Sequence, residues 1–138
     1  MGRVALVTGG TRGIGEAISI ALKDAGYNVA AVYAGNDVAA KEFSDKTGIK
    51  TYKFNVSDFG QCQAGIAQIE SDLGPVEDLV NNAGITRDNV LMRMKDAEWD
   101  DLLAANLTGA AHLAKCCLRG MMKAQGGRII SIASVVGV

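Results

Sequence analysis

Proline is almost missing from this chain, which carries one, Pro75, in 138 residues. A proline-rich linker is thereby excluded, and the breaks between structural elements fall to glycine. Histidine is also single, His112, so a multi-histidine metal site is excluded. The three cysteines, Cys62, Cys116 and Cys117, are odd in number, two of them adjacent, and none has Cys-x-x-Cys spacing. Neither a disulfide framework nor a zinc site follows from that pattern, and the thiols read as small buried hydrophobes. No metal is expected. An excess of one charge is lacking too, because the formal net charge is -1, so no nucleic-acid or anionic-membrane partner is expected. No apolar run reaches the roughly 18 to 20 residues of a membrane span. The start, Met1-Gly2-Arg3-Val4, runs into a strand pattern rather than a signal peptide, and a cytoplasmic location is expected.

What is present belongs to one soluble globular domain, with 49% hydrophobic and 21% charged residues. The 17 glycines cluster at turns. Val4 to Thr8 is a short apolar run ending in Gly9-Gly10, which predicts a strand buried on both faces. Ile14, Ala17, Ile18, Ala21 and Leu22 then recur at helical spacing until Gly26. A second strand is predicted over Asn28 to Tyr33, a helix over Val38 to Thr47 closed by Gly48, and a third strand over Lys50 to Phe54. Ser57 or Asp58 caps a helix running to about Leu73, before the Gly74-Pro75 break and a fourth strand, Asp78 to Asn81. Ile85 to Lys95 reads as a loop, Asp96 as the cap of a short helix containing Trp99, Leu102 to Ala124 as a long helix, and Arg128 to Ala133 as the fifth strand. His112, inside that long helix, is expected to pack rather than to act as a base, and Met92, Met94, Met121 and Met122 to fill gaps in the core or an interface. Such alternation predicts an α/β fold, a doubly wound parallel sheet of the Rossmann type with strand order 3-2-1-4-5. Ligand is expected at the carboxyl ends of its strands.

Chemistry concentrates in Thr8-Gly9-Gly10-Thr11-Arg12-Gly13-Ile14-Gly15, between the first strand and the first helix. Gly9 permits the tight turn, Gly13 lets the backbone approach a pyrophosphate, and Gly15 allows close helix-to-strand packing. The helix N-terminus supplies free N–H groups to the phosphates. A glycine turn without a ligand is the plainer alternative. An NAD-dependent enzyme places an acid at the end of the second strand, whereas this chain has Val32-Tyr33-Ala34-Gly35-Asn36 there, with none until Asp37. Arg12 is a suitable partner for a 2′-phosphate, unless it is a solvated loop residue. NADP(H) is therefore the expected cofactor. Asn106, in Leu102-Leu103-Ala104-Ala105-Asn106-Leu107-Thr108-Gly109, interrupts an apolar helix with poor helix formers, which reads either as a functional residue or as a kink.

The spacing Gly-x-x-x-Gly-x-Gly after Thr8, then Asn81-Asn82-Ala83-Gly84, Asn106 and Ser134 in that order, resembles the short-chain dehydrogenase/reductase family. The resemblance implies a cofactor pocket formed by Gly9, Thr11, Arg12, Gly13, Ile14, Gly15, Tyr33, Asn36, Asn55, Val56, Asn82, Ala83 and Gly84. Asn55 stands where the family usually has Asp beside the adenine. By the same resemblance Asn106 holds a water of the proton relay and Ser134 hydrogen-bonds the substrate carbonyl, stabilising charge on its oxygen. Ser131, three residues earlier, is expected on the opposite side of the strand ending. Asp88 lies near the substrate or is a loop carboxylate in water. The family's Tyr and Lys, four residues apart, would follow Ser134 by about a dozen residues, and the sequence stops at Val138. Residues 1–138 are thus expected to be a partial NADP-binding Rossmann domain without the substrate lid, part of an NADPH-dependent reductase by resemblance and inactive alone; the alternatives are a silent nucleotide-binding fragment or a self-associating module.

Within the family the likeness is to reductases of 3-oxoacyl thioesters. The opening through Gly15, with Tyr33-Ala34-Gly35-Asn36-Asp37, resembles acetoacetyl-CoA reductases. The runs Ile85-Thr86-Arg87-Asp88-Asn89 and Glu98-Trp99-Asp100-Asp101 resemble 3-oxoacyl-acyl-carrier-protein reductases. An acyl thioester of CoA or acyl-carrier protein is the substrate implied. A homo-oligomer is implied through the long helix.

Overall fold

The structure is a computed structural model, and it describes residues 3–11, 13–82, 97, 108–123 and 126–131. Five parallel strands lie in the order β3-β2-β1-β4-β5, the order expected from the alternation of strand and helix patterns. They are β1 (Val4–Thr8), β2 (Asn28–Tyr33), β3 (Lys50–Lys53), β4 (Val76–Asn81) and β5 (Arg128–Ser131). Between them run α1 (Gly13–Asp24), α2 (Asp37–Thr47), α3 (Phe59–Leu73) and α4 (Gly109–Lys123).

Burial on both faces explains why β1 is apolar at every position but its last, and all five of its residues are buried. Its side chains alternate between two cores. Val4 and Leu6 join Val32, Ile66, Ile69, Leu79 and Leu113 beneath α3 and α4, while Val7 joins Val29, Ala31, Phe43 and Val80 beneath α1 and α2. Each fully buried Leu, Ile or Val contributes about 1.5–3 kcal/mol, so this layering is the main stabilising term of the sheet. The cysteines behave as the sequence predicts. Cys62 and Cys117 are buried in the first core and Cys116 packs against it. Burial pushes the Cys62 thiol up to about 11 and the Cys117 thiol up to about 12.

Caps set the helix boundaries. Asn36 caps α2 by accepting from the Ala39 N–H at 3.0 Å, and Gly48 ends that helix in the left-handed conformation. Asp58, not Ser57, caps α3, accepting from the Gln61 N–H at 3.1 Å. β3 ends at Lys53 rather than Phe54, although the Phe54 N–H still donates to the Tyr33 carbonyl at 3.1 Å.

Two expectations need correcting. The fourth strand begins at Val76, two residues earlier than Asp78, because Asp78 is no terminus: the Arg3 guanidinium satisfies its carboxylate within the sheet, at 2.9 and 3.3 Å. On α1 the buried residues are Gly15 and Ser19, not the apolar stripe, and Ile14 is 66% exposed. Gly15 lets the helix lie against the preceding turn so closely that small residues face the sheet, with Ile18, Ile20 and Leu22 only partly covered. The predicted loop after Ile85, the short helix around Trp99 apart from Ala97, the first turns of the long helix from Leu102 to Leu107, Ala124, and residues 132–133 lie outside the described residues, as do Met92 and Met94. Of the remaining methionines, Met121 is buried in the core and Met122 is exposed.

Candidate functional site

The glycine turn sits at the carboxyl end of β1, the point where the strand order reverses: the chain leaves β1 for β2 on one side and later returns to β4 on the other. In doubly wound sheets a crevice opens at such a point. Gly9 and Gly13 both take positive φ, 62° and 60°, which favours glycine. A β-carbon on Gly15 would overlap the Gly9 carbonyl and meet the Asn82 amide at 2.7 Å, so α1 can start here only from a glycine. A β-carbon on Gly13, by contrast, would meet nothing within 4 Å among the described residues. Among the described residues the backbone at Gly13 borders open space, and the first N–H groups of a helix have no partner within it. These are the conditions for an anion at a helix N-terminus.

Three polar side chains hold the turn. The Thr8 hydroxyl donates to the Val80 carbonyl at 3.4 Å and accepts from the Asn82 N–H at 2.9 Å, tying β1 to β4. The Asn82 side-chain amide donates to the Gly9 carbonyl at 3.4 Å. Ser19, fully buried, donates to the Gly10 carbonyl at 3.0 Å and pulls α1 onto the turn. Sequence reasoning named Gly9 and Asn82 but gave no such role to Gly10 or Ser19. Ser19's polarity inside an apolar helix was the signal. Gly10 has no room for a side chain, since a β-carbon would lie 2.8 Å from the Val7 carbonyl and 2.9 Å from the Ser19 hydroxyl.

Of the other expected cofactor residues, Thr11 is buried and Ile14 exposed in the same segment. Tyr33 ends β2, and Asn36 follows it with its side-chain oxygen engaged as the α2 cap. Asn55 and Val56 follow β3, where the Asn55 side-chain oxygen accepts from the Ser57 N–H at 2.9 Å and the Asn55 N–H donates to Gln61 Oε1 at 2.8 Å. All stand at the carboxyl ends of parallel strands, on one edge of the sheet. His112 packs, as expected. Its ring meets Phe59 edge-on at 5.2 Å, and Nδ1 lies 3.0 Å from the Val56 carbonyl, linking α4 to the loop after β3. Arg12, Ala83, Gly84, Asp88, Asn106 and Ser134 lie outside the described residues. Among the described residues no group of three or more His, Cys, Asp or Glu side chains is placed to hold a metal, and no helix is long and apolar enough to cross a membrane.

The strand order and the turn at its reversal point define a Rossmann-type α/β domain. The family profile described as short chain dehydrogenase matches residues 3–138, and this chain belongs to that family. It is 54% identical over 137 residues to acetoacetyl-CoA reductase of Paracoccus denitrificans and 54% identical to that of Shinella zoogloeoides. It is 47% identical over 138 residues to the 3-oxoacyl-[acyl-carrier-protein] reductase of Vibrio harveyi. Each alignment covers 99% of this chain but only 56–57% of the relative, so the chain spans little more than half the length of the curated proteins it matches.

Proposed function

We propose that residues 1–138 form the NADP(H)-binding part of a reductase that converts a 3-oxoacyl thioester, of CoA or acyl-carrier protein, to the 3-hydroxyacyl thioester. The observation that carries this is the glycine turn at the strand reversal, held by Thr8, Ser19 and Asn82 and open at Gly13. Relatives named for reduction of acetoacetyl-CoA and of 3-oxoacyl-acyl-carrier protein support the substrate class. NADPH bound at this edge would supply the hydride. The N–H groups opening α1 and the backbone at Gly9, Thr11, Gly13 and Gly15 hold the pyrophosphate, with Ile14 beside it. Tyr33 and Asn36 flank the ribose, with Arg12 as the cation for its 2′-phosphate. Asn55 and Val56 would border the adenine, and Asn82, with Ala83 and Gly84 by the family resemblance, would hold the nicotinamide half.

Ser134 donates a hydrogen bond to the substrate carbonyl, and Asn106 holds a relay water. The alkoxide then needs a general acid. Tyr33, Tyr52 and His112 do not stand ready for that task, because the Tyr33 hydroxyl donates to Asp37, the Tyr52 hydroxyl to Asp72, and His112 Nδ1 faces a carbonyl. The protein acts in the cytoplasm as a homo-oligomer, which the apolar Leu118 and Met122 exposed on α4 support. The test is NADPH oxidation by the whole protein with acetoacetyl-CoA and an acyl-carrier-protein substrate in parallel. Turnover with at least one thioester, lowered by Ser134→Ala about 10²-fold or more with NADPH affinity retained, supports the assignment. Turnover of neither thioester contradicts it.

A further inference from the structure

We propose that Lys53 strengthens the preference for a 2′-phosphorylated cofactor indirectly, by neutralising Asp37, a carboxylate tethered near the end of β2, where an acid would select a free ribose 2′-hydroxyl. The inference rests on the NADP(H) reading above. In sequence Asp37 lies four residues past the end of β2, too far along to count as the acid of an NAD-dependent site. The fold brings its side chain back. The Tyr33 hydroxyl, at the last residue of β2, donates to Asp37 Oδ1 at 3.2 Å, and Lys53 Nζ lies 3.2 Å from the same carboxylate. Tyr33 and Lys53 are register partners on neighbouring strands, so the carboxylate is tethered by two side chains that start from the carboxyl ends of both.

An acid held there with nothing opposite it would accept from a 2′-hydroxyl and repel a 2′-phosphate. Lys53 removes the net charge, and Tyr33 and Lys53 together occupy acceptor positions that a ribose hydroxyl would use. Lys53 is thus a positioning residue, acting on the nucleotide through Asp37 rather than by touching it. Its side chain is 52% exposed and that of Asp37 63%, so salt screens the pair and its effect is modest.

Calorimetric titration of the full chain with 2′,5′-ADP and 5′-AMP tests this, since the two probes differ only in the 2′-phosphate. Wild-type protein should bind 2′,5′-ADP more tightly. Lys53→Met should weaken 2′,5′-ADP about two- to fivefold while leaving 5′-AMP unchanged, and the loss should shrink as salt is raised. In an Asp37→Asn background the same substitution should change neither affinity. An unchanged 2′,5′-ADP to 5′-AMP ratio in folded Lys53→Met overturns the inference alone. So does a loss that persists with Asp37→Asn, which would mean that Lys53 touches the phosphate. Weakened 5′-AMP binding by Asp37→Asn would make Asp37 a ribose acceptor and also overturn it. If wild-type protein bound neither probe, the NADP(H) reading itself would fall.

Discussion

Arg3 and Asp78 meet at the amino ends of β1 and β4, with Arg3 Nε 2.9 Å from the carboxylate and Glu77 3.5 Å away. At the other ends of the same two strands Thr8 and Asn82 meet, and there the side chains bond the backbone of a turn instead of one another's charges. At the amino ends cation and acid complete each other, and the Asp78 hydrogen bond holds the Arg3 guanidinium above its ordinary range. At the carboxyl ends the polar side chains fix a glycine turn that opens α1, whose first N–H groups have no partner within the helix. The same sheet thus closes one edge chemically and leaves the other ready to bind.

The largest effect should come from filling the turn. Gly15→Val would drive side-chain atoms into the Gly9 carbonyl and the Asn82 amide, and should cost about 3 kcal/mol or more, the upper range for overpacked sites. Thermal unfolding measures it, and a near-native Tm would show that α1 does not need its close approach. Thr8→Val comes next, at about 1–3 kcal/mol for two buried hydrogen bonds lost. It should weaken nucleotide binding as well, because the turn loosens.

Arg3→Ala sharpens the contrast. It should lower Tm through the buried Asp78 yet leave nucleotide affinity unchanged, and a parallel loss of affinity would mean the two edges are coupled. The smallest effect near neutral pH concerns the thiols. Unfolded cysteines ionise from the ordinary value of 9.0, whereas buried Cys62 and Cys117 resist to about 11 and about 12. The unfolded state then holds fewer protons, so stability should fall as pH rises from about 9 to 12. Both thiols should resist alkylation in folded protein at neutral pH.

Most of this architecture was legible because its signals are local. Val4 to Thr8 announced a doubly covered strand, the glycine turn announced its helix, and the strand order followed from alternation. What escaped depends on partners distant in sequence. Asp78 looked like a strand start because Arg3, 75 residues away, is invisible to a local pattern. The apolar spacing of α1 pointed to Ile14, but the contact that decides its buried face is the overlap that Gly15 avoids. Asp37 lies too late in the chain for a local pattern to count it, because only the fold returns its side chain to Tyr33 and Lys53.

The central claim, that the carboxyl edge binds the cofactor through its glycine turn, is tested most directly by titrating wild-type and Gly13→Val protein with NADPH. Among the described residues a β-carbon at Gly13 meets nothing within 4 Å, and the positive φ, an outlier for a β-branched residue, costs about 1–3 kcal/mol. The variant should therefore stay folded by circular dichroism. Wild type should bind NADPH, and the folded variant should not, because the valine occupies the space of the pyrophosphate. NADPH binding of equal strength in the folded Gly13→Val variant would contradict the account.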